Sequence, residues 1–255
     1  MPETLRVRGT SFSMDGTQLL EDGEIMDFTA RTLAEMKDVL LDPLAASGEA
    51  GSRQIYFMYR DAGVAKVKEA FRKEKVRHDI TVIPSMAYGG EFNKTLGHYH
   101  PEAEPGLSYP ELYEVFLGEA LFLLQKRLPE DGLELLLVSA KAGDRIIVPP
   151  NYGHIMVNTG RGTLVTANLV NSEFKSDYGP IGQKRGGAVY AMADGKMVLN
   201  RNYRRLSISE PSLPDTGFLD GFPSIYDAFV ADPERFGFLA RPGELGLPRE
   251  GTNPK

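Results

Sequence analysis

The stretch Thr95–Gly118, TLGHYHPEAEPGLSYPELYEVFLG, decides how the chain is read, because it sets two histidines and a glutamate where they can converge. Successive side chains of a strand point to opposite faces, so residues two apart share one face. His98 and His100 therefore point the same way. On the strand that follows, Glu111, Tyr113, Val115 and Leu117 share one face, while Leu112, Glu114 and Phe116 share the other. A second stretch, Pro149–Asn158 or PPNYGHIMVN, supplies a third histidine, His154, in a similarly turn-bounded apolar setting. With Glu111 turned toward the imidazoles, three nitrogens and one carboxylate make a site for a divalent transition metal. Glu114 is the rival carboxylate, but it is out of phase with Glu111 and would take Tyr113 to the wrong side. His78 is the one remaining histidine. On a strand with no ligand partner nearby in sequence, it reads as structural.

The two stretches resemble the paired motifs of the cupins, small antiparallel β-barrels that hold a metal in the barrel mouth. His98, His100, Glu111 and Gly118 meet H-x-H, then E, then six residues and G; Gly143, Pro149, His154 and Asn158 meet G-x5-P, then H-x3-N. Two departures stand out: ten residues separate His100 from Glu111 where three or four are common, and Asn151 occupies a position where glycine is usual. In both respects the chain is similar to the cupin-type glucose-6-phosphate isomerase family, which has a longer loop after G-H-x-H, an E-x-Y on the next strand and a P-P-x-x-x-H-x-x-V-N segment. The likeness runs from about Ile80 to about Gly182.

The resemblance implies an all-β cupin barrel (double-stranded β-helix, jelly roll) with a few peripheral helices. It implies an aldose-ketose isomerase that interconverts glucose 6-phosphate and fructose 6-phosphate. Its ligands would be His98, His100, Glu111 and His154 around one divalent ion per subunit, with iron expected and manganese, nickel, cobalt or zinc as alternatives. Glu111 and Tyr152 would be catalytic. Thr81, Thr95, Gly97, Tyr109, Tyr113 and Tyr178 would contact substrate, the phosphate resting on Thr81, Thr95 and Gly97 with Lys94 as a helper. Val170 stands where some members have a further tyrosine. On the residues alone, Glu91, Lys94 and Thr95 read equally as loop and strand-edge positions, and Tyr113, Tyr152 and Tyr178 as core. An iron-dependent dioxygenase and a non-catalytic metal- or sugar-binding barrel are the competing functions.

Composition bounds these readings. With 255 residues, 42% hydrophobic and 25% charged, the chain is an ordinary globular protein of one domain, two at most. A net charge of −6 argues against a nucleic-acid partner, which a basic face would hold. The absence of cysteine excludes disulfides and thiolate ligands. MPETLRVRG does not have the pattern of a signal peptide, and no apolar run approaches the ~20 residues of a membrane span, so a cytoplasmic location away from membranes is expected. GGEF at residues 89–92 lacks the context of a nucleotide loop.

Along the chain, LRVRG and TQLLEDG read as short strands broken by the hairpin signal Asp15-Gly16. FTARTLAEMKDVLLDP places Leu33, Met36 and Leu40 at helical spacing up to Pro43 and predicts one amphipathic helix. Residues 47–53 read as a loop and QIYFMYR as a strand. Val64, Val67, Ala70 and Phe71 predict a second helix over 64–75. Strands are then expected at about 77–84, 111–117, 120–126, 133–139, 145–148, 154–158, 163–170 and 187–191, in a closed or sandwiched antiparallel sheet. The cupin domain is expected over 1–205, its metal-binding core over about 80–182, and 206–255 as a Pro/Gly-rich arm packed on the barrel, with short helices at Ser224–Val230 and after Asp232-Pro233. A homodimer is expected, the N-terminal strands pairing across a two-fold axis to cover a sheet edge.

Overall fold

The computed structural model, which describes residues 4–7, 10–63 and 65–247, realises the alternation of Glu111–Leu117 one strand in from the edge of a six-stranded sheet. Its order is Arg145–Val148, Glu111–Leu117, Leu164–Asn171, Val76–Ile83, Gln54–Tyr59, Thr29–Thr32, with every neighbouring pair antiparallel. A second sheet faces it, in which Tyr152–Asn158, Glu119–Leu128 and Gly132–Lys141 are antiparallel and Arg205–Ser209 adds in parallel at the edge. Val115, Phe122, Leu124, Leu135, Ile155 and Leu164 fill the space between the sheets. This is the expected cupin barrel, with its peripheral helices few and short.

The six-stranded sheet is buried on its outer face as well. Leu112, Ile147, Leu169, Ile80 and Val82 pack there beneath the helix Ala65–Lys73 and beneath Leu219, Tyr226, Phe229 and Phe236. Burial on both faces explains why Leu164–Asn171 is apolar nearly throughout and does not alternate. Phe71 and Phe229 stack at 4.2 Å where helix and C-terminal segment meet. His78 lies on this outer face, donating from Nδ1 to the Ala62 carbonyl at 2.7 Å with its ring 5.0 Å from that of Tyr226. It is structural.

Glu114 also points outward, and the structure shows what it does there. Its carboxylate accepts from Arg145 Nε at 3.2 Å and from the Ile225 amide at 2.8 Å, while Arg145 donates to the Leu219 and Phe222 carbonyls, each at 2.6 Å. The rival carboxylate is the anchor of the C-terminal segment. That segment carries the helix Ile225–Ala231, capped by Ser224, and the 3₁₀ helix Pro233–Leu239.

Three expectations change. The single helix over residues 28–43 is instead the strand Thr29–Thr32, one turn of α-helix at Leu33–Met36 and 3₁₀ turns at Lys37–Val39 and Pro43–Ala46. Pairing with Gln54–Tyr59 takes the first residues, and a Thr32/Glu35 capping box starts the helix late. The far end is extended because Lys94 Nζ takes the Val39 carbonyl at 2.9 Å and Glu91 takes the Leu41 amide at 3.0 Å. Residues 48–52 of the expected loop form a 3₁₀ helix. The strand Arg205–Ser209 crosses the expected boundary after residue 205 and belongs to the barrel sheet.

At the other end, Thr4–Val7, Thr10–Asp15, Gln18–Glu21 and Glu24–Ile25 form an antiparallel meander, with Gly16 (φ +61°) in the turn between Asp15 and Gln18. Arg8 and Gly9 of the first expected strand, Val64 of the second helix and residues 248–255 of the arm lie outside the described residues.

Replacing Glu114 by alanine leaves a largely buried guanidinium with carbonyl partners but no counter-charge and removes the acceptor for Ile225. Glu114→Ala is expected to lower unfolding free energy by about 3 kcal/mol in a denaturant titration, while metal content stays at the wild-type level.

Candidate metal centre and substrate pocket

His98 and His154 face one another through a two-way backbone bridge, His98 N to His154 O at 3.3 Å and His154 N to His98 O at 3.0 Å. Their rings are 4.4 Å apart. The tight approach of this segment needs Gly97: its φ is +80°, and a Cβ there would stand 2.3 Å from Ile155 Cγ1. His100 donates from Nδ1 to the Tyr109 carbonyl at 2.9 Å, which fixes its tautomer and leaves a lone pair on Nε2. That Nε2 lies 3.1 Å from His98 Nε2 and 3.2 Å from Glu111 Oε2, and His154 Nε2 lies 3.2 Å from the same oxygen. The four donor atoms are all within 4.8 Å of one another.

Lone pairs held this close in a buried place repel one another unless a cation lies among them. Glu111 Oε2 is buried without a well-formed hydrogen bond, as is expected of an atom whose partner is an ion. Burial, and then the imidazoles of His154 and His100, hold His98 well below the ordinary histidine range, so it is neutral and able to donate its lone pair. The group His98, His100, Glu111 and His154 therefore fits a metal ion, and its mix of imidazole and carboxylate suits a divalent transition metal. Tyr113 OH lies 3.3 Å from His154 Nε2. Burial and then the Glu111 charge push this phenol well above its ordinary value, so it keeps its proton.

A pocket opens over these residues. On the six-stranded wall it is lined by Tyr56, Met58, Arg60, Arg77, Thr81 and Asn168, and across from them by Thr95, Gly97 and Met156; Phe174, Ser176 and Tyr178 close one side. Of the expected substrate contacts, Thr81, Thr95, Gly97, Tyr113 and Tyr178 are on its wall, as is Val170. The Tyr178 ring is 5.3 Å from that of His98. Thr95 Oγ1 accepts from the Met156 amide at 3.0 Å, which leaves its own proton to give.

The structure does not bring Tyr152 to this pocket. It stands at the first position of its strand, opposite Lys126, donates its hydroxyl to Glu134 at 2.8 Å and lines a separate surface cavity with Pro149. Tyr109 serves through its carbonyl, and its ring stacks on Phe174 at 4.7 Å instead of lining the pocket. Lys94 is 3% exposed, paired with Glu91 and bonded to Val39, so it pins the 37–41 segment and does not reach a ligand. Sequence reasoning missed Tyr56, Arg60, Arg77 and Asn168. The signal was the same alternation: Arg77 shares a strand face with Thr81, and Arg60 with Met58 and Tyr56.

With this geometry in view, the family described as glucose-6-phosphate isomerase (GPI) matches residues 30–207. The chain belongs to the glucose-6-phosphate isomerase family. The glucose-6-phosphate isomerase of Thermococcus litoralis is 27% identical over 180 residues, covering 68% of this chain and 85% of the relative. That of Pyrococcus horikoshii is 26% identical over 178 residues, covering 68% and 86%. Among solved structures, oxalate oxidase in complex with glycolate superposes with a TM-score of 0.34 at 18% identity, over 42% of this chain and 47% of that one.

The two departures from the common cupin motif turn out in this isomerase-family chain to be one feature. The long loop after His100 is a hairpin, Glu102–Glu104 against Leu107–Ser108. Asn151, with φ +71°, holds it: Ser108 N donates to Asn151 Oδ1 at 2.9 Å, Asn151 Nδ2 to the Gly106 carbonyl at 2.9 Å and Asn151 N to Ser108 Oγ at 2.7 Å. Asparagine tolerates the left-handed backbone that glycine would otherwise serve, and it adds a side chain that clasps the hairpin. Asn151→Gly keeps the backbone and removes two hydrogen bonds, so it is expected to speed amide exchange at Gly106 and Ser108 and to cost about 1–3 kcal/mol. Asn151→Ala should cost more, since it adds left-handed strain to the same loss.

Proposed function

We propose that this chain is a metal-dependent isomerase interconverting glucose 6-phosphate and fructose 6-phosphate. One observation carries the reading: in a member of this family, the Nε2 atoms of three histidines and Glu111 Oε2 converge in a pocket whose wall also presents Thr81, Thr95 and Gly97. His98, His100, Glu111 and His154 are the proposed ligands of a divalent ion, which when bound supplies Lewis acidity toward the O1 and O2 oxygens of the open-chain sugar.

The chain's own residues do the rest. The Thr81 and Thr95 hydroxyls and the backbone at Gly97 hold the phosphate, which fixes the distance from that end of the sugar to C1 and C2. Tyr113, protonated and beside Glu111 and His154, offers a hydrogen bond to an oxygen on which charge develops. Glu111 is the residue placed to carry a proton between C1 and C2 through an enediolate. Tyr178 flanks the opening. Tyr152 and the Tyr109 side chain take no part in this reading.

The finer identity of the enzyme follows the same proposal: iron as the ion, a homodimer as the assembly and the cytoplasm as the compartment. Elemental analysis of purified protein should find iron in near-equal amount with protein, and light scattering at micromolar concentration should give the mass of two chains.

Chelator-treated protein shown to be metal-free should lose turnover of fructose 6-phosphate, and added metal should restore it. Full turnover by the metal-free protein overturns the reading. Glu111→Gln keeps the shape and removes the charge, so molecules that still hold metal are expected to lose kcat by at least about 100-fold. A wild-type rate from metal-loaded Gln protein would mean that hydrogen passes directly between the carbons as hydride.

A further inference from the structure

The proposed phosphate ligands are neutral donors, and Lys94, the cation nearest to them in sequence, is buried in a structural pair. Yet the pocket wall carries two arginines. Both are tied to one carboxylate: Arg77 Nε donates to Asp79 Oδ2 at 2.7 Å, Arg60 Nη1 pairs with the same oxygen, and the Asp61 amide donates to Oδ1 at 3.0 Å. Asp79 is 1% exposed, whereas the side chains of Arg60 and Arg77 are 45% and 32% exposed. Two guanidiniums on a single carboxylate leave one positive charge facing the cavity.

The sheet register says where each guanidinium stands. Met58 is directly opposite Thr81, and Arg60 Nη2 lies 3.4 Å from Met58 Sδ, so the Arg60 head leans toward the Thr81 row. Arg77 is opposite Val170, which separates it from Glu111, whereas the Arg60 charge is felt at Glu111, Tyr113 and His98, so Arg60 is the arginine that reaches over the pocket. Apart from Met58 Sδ, Nη2 of Arg60 has no hydrogen-bond partner among the described residues. A guanidinium held on one edge by a buried carboxylate presents its remaining N–H groups in a fixed plane, the geometry that binds phosphate by paired donors.

We propose that Arg60 is the charged ligand of the substrate's phosphate, standing beside Thr81, with Asp79 as the positioning residue that aims it. The assignment rests on the isomerase reading for the identity of the substrate. It does not rest on it for the anion, because any phosphomonoester brings the same dianion to the same N–H groups. The consequence for the reaction is selectivity: a sugar without phosphate forfeits a charge-assisted contact that neutral hydroxyls cannot replace.

The test compares metal-loaded wild type, Arg60→Met, Arg60→Lys and Arg77→Met, each checked for metal content and melting temperature. Two quantities are measured, the kinetics with fructose 6-phosphate and the dissociation constant of inorganic phosphate by calorimetry. Arg60→Met is expected to raise KM and the phosphate dissociation constant together, roughly tenfold to a hundredfold, with kcat within about threefold of wild type. Arg60→Lys, which keeps the charge and the Asp79 pair, should recover part of both. Arg77→Met should weaken phosphate binding far less than Arg60→Met.

The inference is overturned if metal-loaded Arg60→Met keeps the wild-type KM and phosphate affinity, or if Arg77→Met takes the whole loss of phosphate binding instead. It is also overturned if both conservative and non-conservative changes at Arg60 act only through melting temperature. A wild type that binds inorganic phosphate through Arg60 yet turns over no sugar phosphate would sustain the anion site and sink the isomerase reading alone.

Discussion

A single strand buried on both faces governs this fold. Glu111–Leu117 lies between Arg145–Val148 and Leu164–Asn171, and its side chains must satisfy two interiors at once. Glu111 and Tyr113 go to the metal pocket, Leu112 to the outer core and Glu114 to the anchor of the C-terminal segment. A shift of register by one residue would turn Glu114 into the barrel at the place of Tyr113 or Val115 and turn Glu111 out to the apolar face. Both buried carboxylates would lose their partners in the same step, which makes the register unusually well defined.

The candidate ligand group was legible because it depends on a period of two, which holds along the strand of Glu111 and also across the isolated bridges at His98 and Tyr99. Parity puts His98 with His100 and sets Glu111 and Glu114 on opposite faces; the motif resemblance is what marks Glu111 as the inward one. The strands from Val76 to Asn171 were legible for a related reason: their apolar runs are closed by Gly, Pro and Asp turns. Residues 28–43 were misread because their helical spacing is real but loses to partners far away in sequence, Gln54–Tyr59 for the first residues and the Glu91–Lys94 pair for the last. Tyr152 shares the parity of His154, yet parity does not say where a pocket ends, and the pocket ends one position short of it. Arg60 and Arg77 were readable in principle by the alternation that singled out Thr81. A charge at a strand end carries no sequence signal that separates a pocket wall from a solvated edge.

The long hairpin after His100 and the asparagine at position 151 show how two sequence oddities can share one cause. Lengthening the loop creates a flap with few contacts of its own, since only three residues pair with two across it. It needs an external hold, and the tight turn before His154 is the nearest backbone. Asparagine answers both demands there, tolerating the turn and gripping the flap. Ordering the flap also orders the Tyr109 carbonyl that sets the tautomer of His100, so a surface feature reaches the candidate metal centre through a single hydrogen bond.

The attachments of the C-terminal segment carry a consequence for how the molecule is made. Ile225 bonds to Glu114 across 111 residues, and Gly243 bonds to Glu104 on the flap across 139. Contacts that close such long loops pay the largest closure entropy and form late. During synthesis most barrel strands and all four candidate metal ligands leave the ribosome well before either contact is available. A nascent chain at that stage has only the helix Ala65–Lys73 to cover the apolar sheet face of Leu112, Ile147 and Leu169. Such a face is a site of unwanted association, so residues 219–239 act less as decoration on a finished enzyme than as the cover that ends its most vulnerable interval.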